Sequence, residues 1–495
     1  MKNKLTLLAF CLVLSICLKA QTDEDALRFS QLSRLGTARF SGAGGAFGAL
    51  GADLSAISIN PAGLAMYRGN ELTFTPGLSF ITSESDFSGN LNQARKNNLN
   101  ISNFGFVWSS VSKRKDADWK SVNFSFGANR IANFHNDIYY SGLNTSNSLM
   151  NNYLSFLGNN AVSPASLIDA YPFDISLAYD ADLLVYSNAD NSYKSPLTKA
   201  GLLQSKSNIT RGGINEYYFA FGGNYNDKLY LGASINMPFL RYITQNTFSE
   251  QDINDSINDF NRYDLTNTVR TTGVGVNVKA GLIYRPADYL RLGASVHSPT
   301  LFSMTDRYSA AISSLFVSGS YDAESPFGTF NYSLITPWRI TGSAAVLFKK
   351  YGFLSADYEL VDYSAAFYNF NSGNSSDKEF ENVQNNLISN KYTAAGNLRL
   401  GAEAVIDIFR LRAGYGITGT PFNDGIGVNG FNNVSTNYSA GFGFREKSFY
   451  LDFAFVRSIF KTFEQPYALA AGQEVPGAEI RSGLSHFIFT LGFKY

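Results

Sequence analysis

The chain has little of what most functional classes require. Only two cysteines occur in 495 residues, Cys11 and Cys17, and both fall in the first twenty. Once those twenty are removed as a leader, no disulfide and no thiol chemistry remain. Histidine is scarce, and His135, His297 and His486 show no zinc-ligand spacing. There is no G-x-S-x-G elbow. No catalytic residue, metal or cofactor is therefore assigned. Charged residues make up only 16% of the chain, with 40 basic and 40 acidic side chains. That balance gives no reason to expect nucleic acid. Mean hydropathy is −0.10, too low for a helical membrane protein.

What the chain does have is aromatic residues and glycine: 41 Phe, 29 Tyr and 43 Gly. Many aromatics at near-zero hydropathy fit a transmembrane barrel, where lipid-facing and lumen-facing residues alternate and cancel. Residues 1–20 read as a signal peptide. Lys2 and Lys4 form its charged region, Leu5 to Leu18 its apolar region, and Ala20 its cleavage end. Cleavage before Gln21 removes Lys2, Lys4 and Lys19 and no acidic residue, so the mature chain is acidic by three charges.

Residues 21–69 have their own texture. Thr22 to Asp25 is a capping-box-like start, and a short helix is expected to follow with Gly36 as its stop. Gly36 to Leu64 then reads GTARFSGAGGAFGALGADLSAISINPAGL. Phe47 stands where a dinucleotide loop needs its third glycine, and no strand precedes Gly42. Phe40, Phe47, Leu50, Leu54, Ile57 and Ile59 are too apolar for a flexible linker. Pro61 pushes Asn60 to an extended shape, and Gly63 is expected to permit a sharp reversal. The stretch reads as a compact segment wedged into a confined space.

In this stretch the sequence resembles the FadL/TodX outer-membrane transporters of hydrophobic compounds. The resemblance rests on Gly44-Gly45-Ala46-Phe47, Ala52-Asp53 and Asn60-Pro61-Ala62-Gly63-Leu64, and it covers about thirty residues. It implies a lumenal hatch in which Gly44, Gly45, Ala46, Phe47, Asn60, Pro61, Ala62 and Gly63 gate the channel.

From residue 70 onward the pattern is alternating strands. Fourteen are expected: 70–81, 99–111, 119–131, 213–224, 228–243, 269–285, 289–300, 335–349, 351–363, 396–407, 410–419, 435–445, 448–459 and 482–495. The connections alternate long and short throughout. Residues 82–98, 132–212, 244–268, 301–334 and 364–395 are long, whereas 225–227, 286–288 and 446–447 are tight. Outer-membrane barrels have short periplasmic turns and long external loops. A soluble sandwich has no reason to sort its loops this way. The expected fold is all-β: a transmembrane antiparallel β-barrel of about 14 strands over 70–495, with residues 21–69 as a hatch in the lumen. The expected location is the outer membrane of a Gram-negative bacterium.

The 132–212 loop is apolar enough to need burial in itself, on the rim or against a ligand. With the hatch it supplies the ligand-contacting candidates: Phe40, Leu50, Leu54, Ile57, Leu149, Tyr153 and Phe156. In the third strand the alternation breaks after Gly127, so Arg130 falls on the apolar face, a sign of a bulge or of fraying at the strand's outer end. By the resemblance, Gly127, Ala128, Asn129 and Arg130 would flank an opening in the wall that delivers ligand sideways, into the hydrocarbon of the inner leaflet. His486 reads as a polar residue near the start of the last strand. Asp252, Asp255, Asp259 and Asp264 do not match a calcium loop and read as solvated.

The function implied is passive uptake of a hydrophobic small molecule, of long-chain fatty acid or aromatic type. Expected partners are that ligand, outer-membrane lipid and lipopolysaccharide, and the barrel-assembly machinery that reads a terminal Phe493-x-Tyr495. Two other classes stay open: a barrel component of a secretion or surface-assembly system, and an outer-membrane lipase. The lipase would need a Ser–His–carboxylate group at the outer rim.

Overall fold

A computed structural model describes residues 21–33, 35–114, 116–159, 162–198, 201–423, 434–469 and 474–495. The signal-peptide assignment, residues 1–20, lies outside them. Fourteen antiparallel strands close into one sheet. They are β1 Glu71–Phe87, β2 Asn90–Val111, β3 Trp119–Asn133 continued by Asn136–Asn144, β4 Leu202–Tyr225 and β5 Leu229–Gln251. Next come β6 Phe260–Ala287, β7 Leu290–His297 continued by Leu301–Phe316, β8 Gly328–Ile335 continued by Arg339–Leu347, and β9 Gly352–Asp362. The last are β10 Ala394–Ile406, β11 Phe409–Thr418, β12 Ser435–Arg445, β13 Phe449–Glu464 and β14 Ala478–Lys494. β14 closes on β1, from Glu71 opposite Lys494 to Phe87 opposite Ala478.

Period-two alternation decides which way each residue faces. On β5, Leu231, Ile235, Met237 and Phe239 are exposed, while Tyr230, Ser234 and Asn236 are buried. The same pattern on every strand gives the barrel an apolar outer belt about ten residues tall, the height that hydrocarbon demands. At one end the strands meet in tight turns. Asn226 and Asp227 both take positive φ, 51° and 55°, in the three-residue connection between β4 and β5.

All fourteen expected strands are present, but the long connections differ from expectation. Residues 82–98 are not a loop: β1 and β2 stay paired up to Phe87 opposite Asn90. Most of 244–268 likewise extends β5 and β6. Outside the belt the side chains lose their apolar alternation, so a reading based on hydropathy stops there. The backbone ladder continues on polar pairs such as Thr247 and Thr266, whose hydroxyls lie 3.0 Å apart.

Residues 21–69 form helix α1 (Asp23–Ser30), the short helix α2 (Ala38–Gly42) and two 3₁₀ turns, Leu54–Ser58 and Pro61–Met66. Thr22 caps α1 by accepting from Asp25 N, as the sequence suggested. Gly36 is not the stop. α1 ends at Ser30, where Gln31 turns extended and donates to Leu27 O.

Candidate functional site: a plugged lumen beside a gap in the wall

The hatch fits because both surfaces lack side chains where they meet. A Cβ on Gly414 of β11 would sit 2.1 Å from Gly44 N, and one on Gly293 of β7 would sit 2.4 Å from Gly48 O. Gly232 of β5 faces Pro61 in the same way at 2.3 Å, and Gly222 of β4 faces Ala65 N at 2.7 Å. The wall thus carries its own set of lumen-facing glycines, which the sequence reading did not single out. Their signal was a Gly at an inward position on one strand after another.

Each predicted hatch residue has a definite place. Gly44 and Gly45 adopt φ of 66° and 71°, which only glycine takes freely. Ala46 and Phe47 are fully buried, and the Phe47 ring lies 5.5 Å from Phe40 and 5.9 Å from Phe353. Asn60 is a staple. Its Oδ1 caps Ala62 N at 3.1 Å, and its Nδ2 donates to Gly48 O at 2.7 Å and to Leu282 O of β6 at 3.1 Å. Pro61 opens the second 3₁₀ turn. Gly63 makes no sharp reversal. It lies inside that turn and is small because Gly51 packs on it: a Cβ on Gly51 would meet Gly63 Cα at 2.7 Å.

Charge locks the hatch to the wall as well. Arg39 donates to Ala52 O at 3.0 Å and to Glu403 at 3.3 Å, and Arg412 bridges Glu403 and Asp452 at 2.6 and 2.7 Å. These residues close the lumen at the short-turn end.

Beyond the hatch lies a cavity of about 1450 Å³. Ser41 and Gly44 border its floor, α1 reaches it through Leu27 and the segment after α1 through Leu32, and Phe173 and Tyr467 also line it. None of the seven ligand-contacting candidates borders it. Phe40, Leu50, Leu54 and Ile57 are buried within the hatch and against the wall. Leu149 and Tyr153 are buried in the core of a cap that Phe156 packs against. The 132–212 excursion is strand at both ends, and the cap is built between them, with helices Leu149–Asn159 and Ile175–Asp180 folded onto Phe248, Phe260 and Tyr263 of the extended strands. Glu250 anchors it by accepting from Ser148 Oγ, Leu149 N, Gln204 Nε2 and Tyr263 OH at 2.6 to 3.2 Å. Asp174 caps the second helix, and burial raises its carboxyl to about 6 against the hydrogen bond from Ile175 N.

The side wall of the cavity is incomplete. β2 and β3 pair only from Val111 opposite Ser121 to Asn103 opposite Asn129. One residue later β3 bulges, with Ile131 as the extra residue between Arg130 and Ala132 against β4. The continuation Asn136–Asn144 stays on β4 but turns inward over β1, where Ser85 Oγ donates to Tyr139 O at 2.8 Å. β2 from Asn90 to Ser102 therefore has a strand on one side only. Side chains bridge the gap instead: Asn98 to His135 at 3.1 Å and Lys96 to Asp137 at 3.0 Å. Ala132 to Asn136 border the cavity directly.

Gly127, Ala128 and Asn129 are the last regular rungs below this gap. Gly127 is glycine because Phe104 O and Tyr218 OH lie within 2.6 Å of where its Cβ would be, not because it makes the bulge. Arg130 does not border the cavity; its Nη2 donates to Gly212 O at 2.8 Å. The level of the gap also departs from expectation. Phe104 and Trp108 face outward below it, and Ile101 and Leu99 face outward beside it. It therefore lies in the half of the belt nearer the long excursions, not in the inner-leaflet half. The N-terminal segment is tied to it: Ser33 N donates to Ile131 O at 2.7 Å.

His486 is not near a strand start, because β14 begins at Ala478. It lines the cavity, and its Nδ1 lies 2.8 Å from Ser79 Oγ. Among the described residues no carboxylate contacts this imidazole, so the Ser–His pair lacks the third group a lipase site needs. Asp252 and Asp259 are occupied locally, by Ile257 N and by Ser318.

Neither family models nor curated proteins show a match to this chain. Solved structures do. A Pseudomonas aeruginosa FadL homologue aligns at a TM-score of 0.55 with 14% identity, over 94% of this chain and 99% of that one. The P. putida toluene transporter TodX aligns at 0.51 with 12% identity, over 94% and 99%. The chain has the FadL/TodX fold.

Proposed function

We propose that this chain is a passive channel of the outer membrane for hydrophobic small molecules. The observation that carries the reading is a lumen cavity sealed by the hatch below and bordered at its side by a stretch of wall with no ladder. Molecules of this class are blocked by a lipopolysaccharide leaflet and need a protein route. A ligand admitted past the cap would enter the cavity, and movement of the hatch would free its path. Exit would be sideways between β2 and β3. Leaving into hydrocarbon avoids about 0.8 kcal/mol for each methylene that would otherwise meet water. The FadL and toluene-transporter likenesses support the substrate class.

The test uses the absence of cysteine beyond residue 20. Asn98→Cys and His135→Cys, joined by a short reducible bis-thiosulfonate linker, would bolt the gap shut. Uptake of a labelled long-chain fatty acid and of toluene should fall on linking and return on reduction. Uptake that ignores the linker would rule out the lateral route. Cells lacking the chain that keep both uptakes but lose surface proteins would favour the secretion reading.

A further inference from the structure

The outer wall carries a patch of unmatched positive charge on four neighbouring strands. Arg211 on β4, Arg241 on β5, Arg270 on β6 and Arg307 on β7 are all exposed. Each lies an even number of residues from an exposed belt residue on its own strand: Tyr217, Phe239, Val274 and Leu301. Even spacing puts all four on the lipid-facing side of the wall. Each is also on the long-excursion side of its belt residue, where hydrocarbon gives way to headgroups.

The ladder register brings them together. Arg270 lies directly opposite Arg307. Ile243 pairs with both Arg211 and Arg270, and Arg241 stands two residues from Ile243. With strands about 4.8 Å apart, the four span roughly 15 Å. None makes an ion pair or side-chain hydrogen bond with any described residue. Their outward neighbours, Asn215, Gln245, Thr272 and Thr305, are uncharged. Like charges directly opposite one another destabilise a sheet. At the barrel's seam the same level is built differently, with Glu84 of β1 opposite Arg481 of β14.

A repulsive arginine row at a membrane interface needs an anion that arrives from outside the chain. Guanidinium forks bind phosphate in bidentate fashion. We infer that this face, Arg211, Arg241, Arg270 and Arg307, is a docking surface for the phosphate-bearing headgroup of an outer-leaflet glycolipid. Its acyl chains would lie along the belt below, over Phe239 and Val274. The inference rests on placement in an outer membrane and not on transport, so its test needs no uptake.

The full mature chain in dodecyl maltoside is titrated with diphosphoryl lipid A, and retained lipid is counted by native mass spectrometry. Phosphatidylcholine and inorganic phosphate are run beside it. Wild type should retain lipid A in preference to both, and the retention should weaken with salt. Each arginine near a headgroup contributes about fivefold, so R241Q/R270Q/R307Q should bind on the order of a hundredfold more weakly. R95Q/R481Q, on other strands, should bind as wild type. Heat-modifiability on gels confirms that each variant is a folded barrel. If the triple variant misfolds, Arg241→Gln and Arg307→Gln are measured singly, each expected to lose about fivefold. Equal retention of phosphatidylcholine, binding of phosphate alone, or an unchanged affinity in the folded triple or single variants would each overturn the assignment.

Discussion

Replacing Gly44 with alanine adds one methyl group at a point where nothing can yield. The new Cβ would lie 2.6 Å from Leu400 O and 3.2 Å from both Gly414 Cα and Tyr415 N, all backbone atoms of the wall. The residue must also hold φ of 66°. A left-handed backbone angle costs a non-glycine residue about 1–2 kcal/mol. Overpacking a tight site costs about 1–3 kcal/mol more. The barrel ladder does not depend on Gly44, so the cheapest relief for those 2–5 kcal/mol is for the hatch to leave its seat. At 1.4 kcal/mol per tenfold, the displaced-hatch population should rise by about 30-fold to several thousandfold. Planar-bilayer recording should show this as long-lived ion conductance in Gly44→Ala and rare openings in wild type. Gly414→Ala makes the same clash from the wall side, 2.1 Å from Gly44 N. The two changes strain one contact, so together they should cost less than their sum. Gly342→Ala, with nothing within 4 Å, is the control and should be silent. Wild-type conductance and an unchanged urea midpoint in Gly44→Ala would show that the hatch is not confined, and the close-packing account would fail.

Three further outcomes are expected. Glu250→Ala removes the acceptor of four hydrogen bonds, and each orphaned donor costs about 1–3 kcal/mol; limited proteolysis should then cut within 145–201 while the barrel resists. Asp174 binds its proton more tightly folded than unfolded, so its contribution to cap stability is fullest below about pH 4 and is lost as pH rises through about 6. Cap resistance to protease should follow that slope in wild type and lose it in Asp174→Asn, compared pH by pH so that the protease's own dependence cancels. For topology, cysteines placed at Asn188 or Ser376 should label from outside intact cells and those at Asp227 or Lys447 should not; the reverse would invert the barrel.

How much was legible depended on what each residue must satisfy. Belt residues such as Leu231 and Phe239 answer to hydrocarbon alone, so alternation reveals them and the fourteen strands follow. Above the belt, strands such as 82–98 are held by backbone pairing between polar residues, and composition carries no sign of that. The hatch was legible as a confined stretch because its glycines are crowded together. Its receptor in the wall was not, because Gly222, Gly232, Gly293 and Gly414 are spread over four strands and meet only when the barrel closes. The third strand's phase break was visible around Arg130, and the bulge sits there at Ile131. That β2 is the strand left without a neighbour was not read, although its outward apolar face changes phase between Ile101 and Phe104, where Ser102 is an extra residue against β1. The ligand candidates were chosen for apolarity, and apolar residues in a small plug or a cap are first needed to pack against each other.

The gap leaves one edge of the wall to be satisfied without a ladder. Along β2 from Asn90 to Ser102, one edge of backbone groups lacks a strand partner, and part of that edge lies at the level of Ile101 and Leu99. In hydrocarbon each unsatisfied group costs several kcal/mol, so the edge cannot simply face acyl chains. The inward turn of β3 answers this by carrying Asn136–Asn144 behind β2 and offering His135, Asp137 and Ser141 O to the side chains of Asn98, Lys96 and Asn92. The result is a polar notch between lipid outside and the lumen cavity inside. The segment that turns is also the one held by Ser33 N at Ile131 O, eight residues before Ser41 at the cavity floor. That bond ties residues 21–69 directly to the residue where the wall departs from its neighbour.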